Sequence, residues 1–237
     1  MNRVAVVVPA HDEQDLLPAC LAALHRAADA LGRTPVEIVV VADHCRDRTA
    51  ELAAGAGAEV VTVAHRNVGR ARAAGVAHAV RHGPAGLWVA CTDADSRVGA
   101  DWLRWQLRHA EDGAGLLLGT VEVDDWASWP TTLPARYEAR YRRKITGAVH
   151  GHVHGANLGF PAETYLAVGG FPGLAVAEDR VFAKRVRDGG ARVVTDPSCP
   201  VRTSARPRGR ARHGFASYLT ALSGVRSAAP RIRPEPL

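Results

Sequence analysis

The sequence predicts an α/β fold: an open, mostly parallel central sheet flanked by helices. Three observations carry that prediction. Short apolar runs of strand length alternate with segments of helical spacing through the first half of the chain. Those runs are continuously apolar, as strands buried on both faces of a parallel sheet must be. The chain has 237 residues, 47% of them hydrophobic, enough to build a sizeable core.

Each element follows from its pattern. Residues 4–8 are the first apolar run. Residues 12–31 read as a helix, with Leu16, Leu17, Cys20, Leu21, Leu24, Ala28 and Leu31 at helical spacing and Gly32 as its stop. Residues 36–41 form a second strand, and 47–54 a short helix ended by Gly55 and Gly57. Residues 60–63 are a third strand, 68–82 an alanine-rich helix closed by Gly83 and Pro84, and 87–92 a fourth strand. Right-handed crossovers join such units, and ligands gather beyond the carboxyl ends of the strands.

The second half is less regular. Residues 100–111 read as a helix, 116–123 as a strand, and 134–145 as a helix carrying Arg136, Tyr137, Arg140, Tyr141, Arg142, Arg143 and Lys144. A loop with His150, His152 and His154 leads to residues 155–160. Residues 178–188 form a helix ended by Gly189 and Gly190, 191–195 a short strand, and 215–225 a helix. From residue 230 onward the chain is expected to fray. There is no internal repeat and no linker rich enough to separate independent domains.

Bulk chemistry narrows the function classes. Lys+Arg 30 against Asp+Glu 24 gives a net charge of +6, which suits an anionic partner. Arg202, Arg206, Arg208, Arg210 and Arg212 lie close together with no acidic residue among them. No aromatic residues are interleaved with these arginines, so a nucleic-acid partner is not expected. Cys20, Cys45, Cys91 and Cys199 form no CxxC pair, which points away from zinc and disulfides and toward reduced thiols in the cytoplasm. No stretch reaches the roughly 20 apolar residues of a membrane span. The start of the chain has no cleavable signal pattern.

The most informative stretch is 87–95. Its apolar run ends in Asp93 and Asp95, which share one side of an extended backbone. Two carboxylates held together call for a cation or polar ligand, and hard oxygen donors suit Mg2+ or Mn2+, which bind phosphate oxygens in turn. Alone, Asp-x-Asp is also a common polar turn. Pro9 removes a backbone donor where the first strand leaves the sheet, placing His11, Asp12 and Glu13 at the rim. Asp47 with Thr49 reads as a helix cap, while Asp43 is the better ligand candidate. Arg70 and Arg72 open a helix, where they can meet an anion or stay on an exposed face. The three histidines could bind a transition metal or line a polar loop, and no metal is assigned to them.

Five ordered segments together resemble the family-2 glycosyltransferases of GT-A fold. They are Pro9 to Glu13, Asp43 to Thr49, Asn67 to Arg72, Asp93-Ala94-Asp95, and Gly155-Ala156-Asn157 followed by Gly169-Gly170-Phe171 and Glu178-Asp179. His44-Cys45 departs from the family's usual Gly-Ser.

The resemblance implies one domain over 1–237. A nucleotide-sugar half would cover 1–98, an acceptor half 99–229, and a tail 230–237. Pro9, Ala10, His11, Glu13, Asp43, Arg70, Asp93, Ala94 and Asp95 would bind the donor. Asp95 and Asp93, with His213, would hold Mg2+ or Mn2+ at the diphosphate. Asp179 of the Glu178-Asp179 pair would act as base on the acceptor hydroxyl, giving inversion. Asn157, Gly155 and Ala156 would meet the acceptor. Arg206, Arg208 and Arg210 would form a basic flap over the diphosphate. The partners would be a nucleoside-diphosphate sugar and a hydroxyl acceptor. Peripheral membrane contact and a homodimer stay open.

Other classes compete. A sugar-phosphate nucleotidyltransferase would carry a Gly-rich basic loop after the first strand, where this chain is acidic. A dinucleotide oxidoreductase would carry GxGxxG there, and none is present. A retaining enzyme similar to glucosyl-3-phosphoglycerate synthases and a non-catalytic relative both remain as alternatives.

Overall fold

A computed structural model describes residues 1–210 and 214–224. The elements in the first half are β1 (Arg3–Ala10), α1 (Leu17–Leu31), β2 (Val36–Asp43), α2 (Thr49–Gly55), β3 (Glu59–Val63), α3 (Val68–Ala79) and β4 (Leu87–Cys91). Next come β5 (Ser96–Arg97), α4 (Trp102–Glu111), β6 (Leu116–Leu118), β7 (Val121–Val123), α5 (Leu133–Arg142), β8 (Ile145–Thr146) and β9 (Val149–His150). The rest are β10 (Leu158–Pro161), α6 (Ala162–Ala167), α7 (Glu178–Asp188), β11 (Val193–Thr195), β12 (Val201–Thr203) and α8 (Phe215–Ser223).

The main sheet has seven strands in the order β11-β6-β10-β4-β1-β2-β3. β1 pairs in parallel with both β2 and β4, and β2 with β3. β10 runs antiparallel between β4 and β6, and β11 is parallel to β6. The expected mostly parallel α/β sheet is therefore present.

Period-two geometry divides the core into two layers. Val4, Val6 and Val8 face Leu17, Leu21, Leu24 and Trp102 on one side of the sheet. Ala5 and Val7 face Val76, Ala79, Phe160 and Phe182 on the other. Gly75 lets α3 approach the sheet closely: a Cβ there would lie 2.5 Å from Val7 Cγ1 and 2.9 Å from Val41 Cγ2.

A second sheet, β5-β12-β7, and an aromatic cluster complete the molecule. In that cluster Leu133, Tyr137, Ala205 and Leu219 are buried with Trp126, Trp129, Tyr141 and Phe215 around them. The Trp129 indole N–H donates to the Ala205 carbonyl. This anchors the start of the arginine-rich segment.

Several expectations are corrected. Residues 12–16 are not helical: Asp12 has φ 52°, and α1 begins at Leu17, where Pro18 suits the first turn. Residues 116–123 are not one strand. Gly119 and Thr120 turn the chain, so that β6 and β7 join different sheets. Residues 80–82 tighten into a 3-10 turn after α3. β5, β10 and β12 and the β8–β9 hairpin were not expected from the pattern. The tail from residue 230 lies outside the described residues.

Replacing Gly75 with Val should overpack the α3–sheet contact at a cost of about 1–3 kcal/mol. Thermal unfolding should show a Tm lower by roughly 2–10 °C, and an unchanged Tm would refute the close approach.

Candidate functional site

The site is built where β1, β2 and β4 end and α3 and α7 begin. The loops after β1 and β2 are stitched together. The Glu13 N–H donates to Thr49 Oγ1 at 2.7 Å, and the Gln14 N–H to Asp47 Oδ2 at 3.0 Å. The Arg46 N–H donates to Asp12 Oδ1 at 2.7 Å. His11 Nδ1 donates to the Asp43 carbonyl at 2.6 Å. Pro9, Ala10 and His11 thus lie at the strand end, as expected.

Asp43 is 4% exposed. The backbone N–H groups of His65, Arg66 and Asn67 donate to its oxygens at 2.6, 2.8 and 2.8 Å. With about four acceptor directions per carboxylate, one is left for any ligand. Its main work is to hold the turn into α3. Asn67 then caps that helix, its Oδ1 accepting from the Arg70 N–H at 3.0 Å. The Arg70 side chain is exposed at the helix start, beside Gly173.

Asp93 and Asp95 both stand at the carboxyl end of β4, but each faces its own guanidinium. Arg72 is 3% exposed and bridges Asp93 and Glu178. Gly155 packs on the back of that guanidinium, where a Cβ would collide with it. Arg206 donates bidentately to Glu13 at 2.6 and 2.5 Å and reaches Asp95 Oδ2 at 3.1 Å. Arg210 Nε lies 4.0 Å from Glu13 Oε1. Arg208 is exposed and makes no ion pair among the described residues. Burial pushes the Asp95 carboxyl up to about 7; Arg206 opposes the rise, while Asp93 and Glu13 add to it. Burial also raises Glu178, with Arg72 opposing.

Glu178 and Asp179 open α7, which Ala177 enters with φ 60°. Glu178 is 4% exposed and committed to Arg72. Asp179 is half-buried, and its Oδ2 accepts from the Gly155 N–H at 2.9 Å. Its neighbour Glu178 is linked to Asp93 through Arg72.

Asn157 is a correction. It is 0% exposed. Its Nδ2 donates to the carbonyls of Thr120 and Cys199 at 2.8 and 3.0 Å, and its Oδ1 accepts from Trp102 Nε1 at 2.9 Å. No polar atom of the side chain remains for an acceptor, so Asn157 is a framework residue. Ala156 beside it is 6% exposed.

His152 and His154 stack on Tyr141, and His150 lies tilted against His152. The His152 ring is 3.7 Å from that of Tyr141. Nε2 of His150 and of His152 donates to the carbonyls of Leu118 and Tyr141, at 3.0 and 2.9 Å. His154 Nε2 meets the Tyr141 hydroxyl at 3.1 Å. Burial lowers all three, His154 to about 3.

The donor set suits a hard divalent cation, since Asp93, Asp95 and Glu13 offer carboxylate oxygens at one rim. His213 lies outside the described residues. Among the described residues two groups bring three ligand atoms within 4.8 Å of one another, Asp12–Cys45–Asp47 and Glu37–Glu59–His78, and neither includes the β4 carboxylates.

Sequence reasoning left two partnerships unseen. Arg72 occupies the buried face of α3 with Gly69, Val76 and Ala79. An arginine in that helical stripe was the available signal. The Glu13–Arg206 pair spans 193 residues and left no local signal.

Comparison with known proteins bears on this architecture. The profile described as Glycosyl transferase family 2 matches residues 5–164. The chain belongs to that family. No curated protein sequence matches it. S. aureus TarS 1–349 in complex with UDP-GlcNAc aligns with TM-score 0.66 at 16% identity, over 88% of this chain and 60% of that one. The mannosyltransferase PcManGT from Pyrobaculum calidifontis, in complex with GDP-Man and Mn2+, gives TM-score 0.65 at 22% identity, over 88% and 58%. M. tuberculosis glucosyl-3-phosphoglycerate synthase gives 0.56 at 19%, over 94% and 77%. The chain thus spans about 60% of the length of the first two. All three share the GT-A fold found here.

Two outcomes are expected. Arg72→Met should cost about 3–5 kcal/mol by stranding Asp93 and Glu178. Adding Glu178→Gln should then cost less than the sum of the single losses, and strict additivity would reject the pair. The second concerns pH in metal-free buffer. A carboxyl raised in the folded state contributes stability fully below its unfolded value near 3.8, and loses it as pH rises through about 7. The Tm difference between Asp95→Asn and wild type should therefore shift in favour of the variant between pH 4 and 8, and a flat difference would contradict the raised carboxyl.

Proposed function

We propose that this chain transfers a sugar from a nucleoside-diphosphate donor to an acceptor hydroxyl. The family match over residues 5–164 carries the reading, because it encloses the carboxylate rim around Asp93 and Asp95. The nucleotide half is assigned to residues 1–98 and the acceptor half to 99–229.

Asp93 and Asp95, with Glu13 beside them, would hold a divalent cation, Mg2+ or Mn2+. Such a cation, when bound, supplies positive charge to the leaving diphosphate. Arg206 already lies on these carboxylates and can turn toward phosphate oxygens, for which its planar fork is suited. Arg208 and Arg210 extend that basic segment. Arg70 stands at the amino end of α3, where backbone N–H groups and the helix dipole favour anions.

Asp179 takes the proton of the acceptor hydroxyl. It is the less buried member of the acidic pair, and Glu178 is spent on Arg72. The Gly155 N–H fixes one Asp179 oxygen and leaves lone pairs on the carboxylate for the incoming proton. Proton removal by a carboxylate on the acceptor side supports direct displacement and inversion. A retained configuration, read from the anomeric coupling in proton NMR, would overturn this.

The first experiment is a thermal-shift screen of nucleoside diphosphates and their sugars, with Mn2+ and with EDTA. Stabilisation by a nucleotide that EDTA abolishes supports the reading, and no response to any nucleotide sinks it. With the donor known, Asp179→Asn should lower turnover about 10²-fold or more while donor affinity stays near wild type. Unchanged turnover would remove Asp179 from the mechanism.

A further inference from the structure

A pocket of about 340 Å³ opens beside the start of α7, and its charge is of one sign. Lys144, Arg180 and Arg187 line it with His152 and His154, and no carboxylate is among the lining residues. Neighbouring cations on the same elements are paired within their helices, Arg142 with Glu138 and Lys184 with Asp188. Among the described residues Lys144, Arg180 and Arg187 have no such partner. Their field reaches the pocket wall, where Arg180 and Lys144 add to the burial that keeps the His152 and His154 rings neutral. Three uncompensated cations around a recess lower the energy of an anion placed there.

The position of the pocket gives it meaning. Arg180 and His154 line it, and each is one residue from a member of the Asp179–Gly155 hydrogen bond of 2.9 Å. Two of the lining residues are thus chain neighbours of the pair that includes the carboxylate assigned as base. Two arginines and a lysine suit a phosphate group, since guanidinium offers paired N–H donors and ammonium a compact charge. The chain's own acids do not line this place, and Glu178 and Asp93 are paired with Arg72.

We propose that the pocket binds a phosphate group carried by the hydroxyl acceptor, an inference that rests on the sugar-transfer reading above. Lys144, Arg180 and Arg187 grip the phosphate and thereby present the acceptor's hydroxyl to Asp179. The phosphate belongs either to a small soluble phosphoalcohol or to the headgroup of a phospholipid.

The test uses the full chain at fixed ionic strength, without metal. Inorganic phosphate and glycerol phosphate are titrated against wild type and against Lys144→Gln, Arg187→Gln and the double variant, with glycerol as control. In parallel, cosedimentation is measured with phosphatidic acid vesicles and with phosphatidylcholine vesicles. Each single variant should weaken phosphate about tenfold, and glycerol should not bind. Nucleoside diphosphate binding with Mn2+ should be the same in all four proteins, which also reports that the variants are folded. Saturation by soluble phosphates assigns the soluble source. Variant-sensitive binding confined to phosphatidic acid vesicles assigns the lipid source. Equal phosphate and vesicle binding in wild type and double variant, or none in wild type, would overturn the proposal. If phosphate binding follows the variants while no nucleoside diphosphate binds, the sugar-transfer reading falls and the anion site stands.

Discussion

Four carboxylates brought to one end of a sheet repel one another, and this molecule holds them there with two arginines. Glu13, the Asp93–Asp95 pair and Glu178 come from three separate segments of the chain. Arg72 neutralises Asp93 and Glu178 from inside, and Arg206 neutralises Glu13 and Asp95 from the C-terminal side. A buried ion pair is weak as a source of net stability, because desolvation offsets most of the attraction. Its effect is on position: each carboxylate is oriented by the guanidinium it faces, and the Arg72 guanidinium is itself buried. The arrangement of the rim is therefore decided by α3 and by the segment after β12, as much as by the strands that carry the acids.

That dependence explains the value of the small aromatic cluster. Arg206 can reach Glu13 only if the chain leaving β12 is directed back over the sheet. β12 is registered against β5 and β7, and the Ala205 carbonyl is tied to Trp129. α5 and α8 pack around the same cluster. Elements remote from the rim thus determine where its countercharge lies. The loops after β1 and β2 are fixed in a different way, by reciprocal hydrogen bonds through Asp12, Asp47 and Thr49.

Much of this was legible in the sequence, and the limits have physical causes. β1, β2 and β4 were readable because strands buried on both faces are continuously apolar, and the edge strand β3 because valines recur through it. α7 was readable to the residue, since Glu178 begins and the two glycines end a strongly amphipathic stretch. β12 was missed because three residues, one of them Arg202, carry too little pattern. The β6–β7 break was missed because Gly119 turns there to pack against Asn157, a tertiary contact. Asp93, Asp95 and Asp179 were singled out from their motif. Their counter-ions were not, because ion pairing across the chain leaves no periodic trace. Asn157 shows the opposite error, a polar residue in a motif whose amide is spent inside the protein.

The placement of β10 has a consequence for how the molecule can be divided. β4 has β1 on one side and β10 on the other, and β10 lies some seventy residues further along the chain. A fragment ending near residue 98 would leave the backbone N–H and C=O groups of Leu87–Cys91 without their second partner, on a strand that is fully apolar. Such an open edge is a template for chain-to-chain pairing. The amino-terminal half is thus expected to aggregate when expressed by itself, although it carries most of the parallel strands.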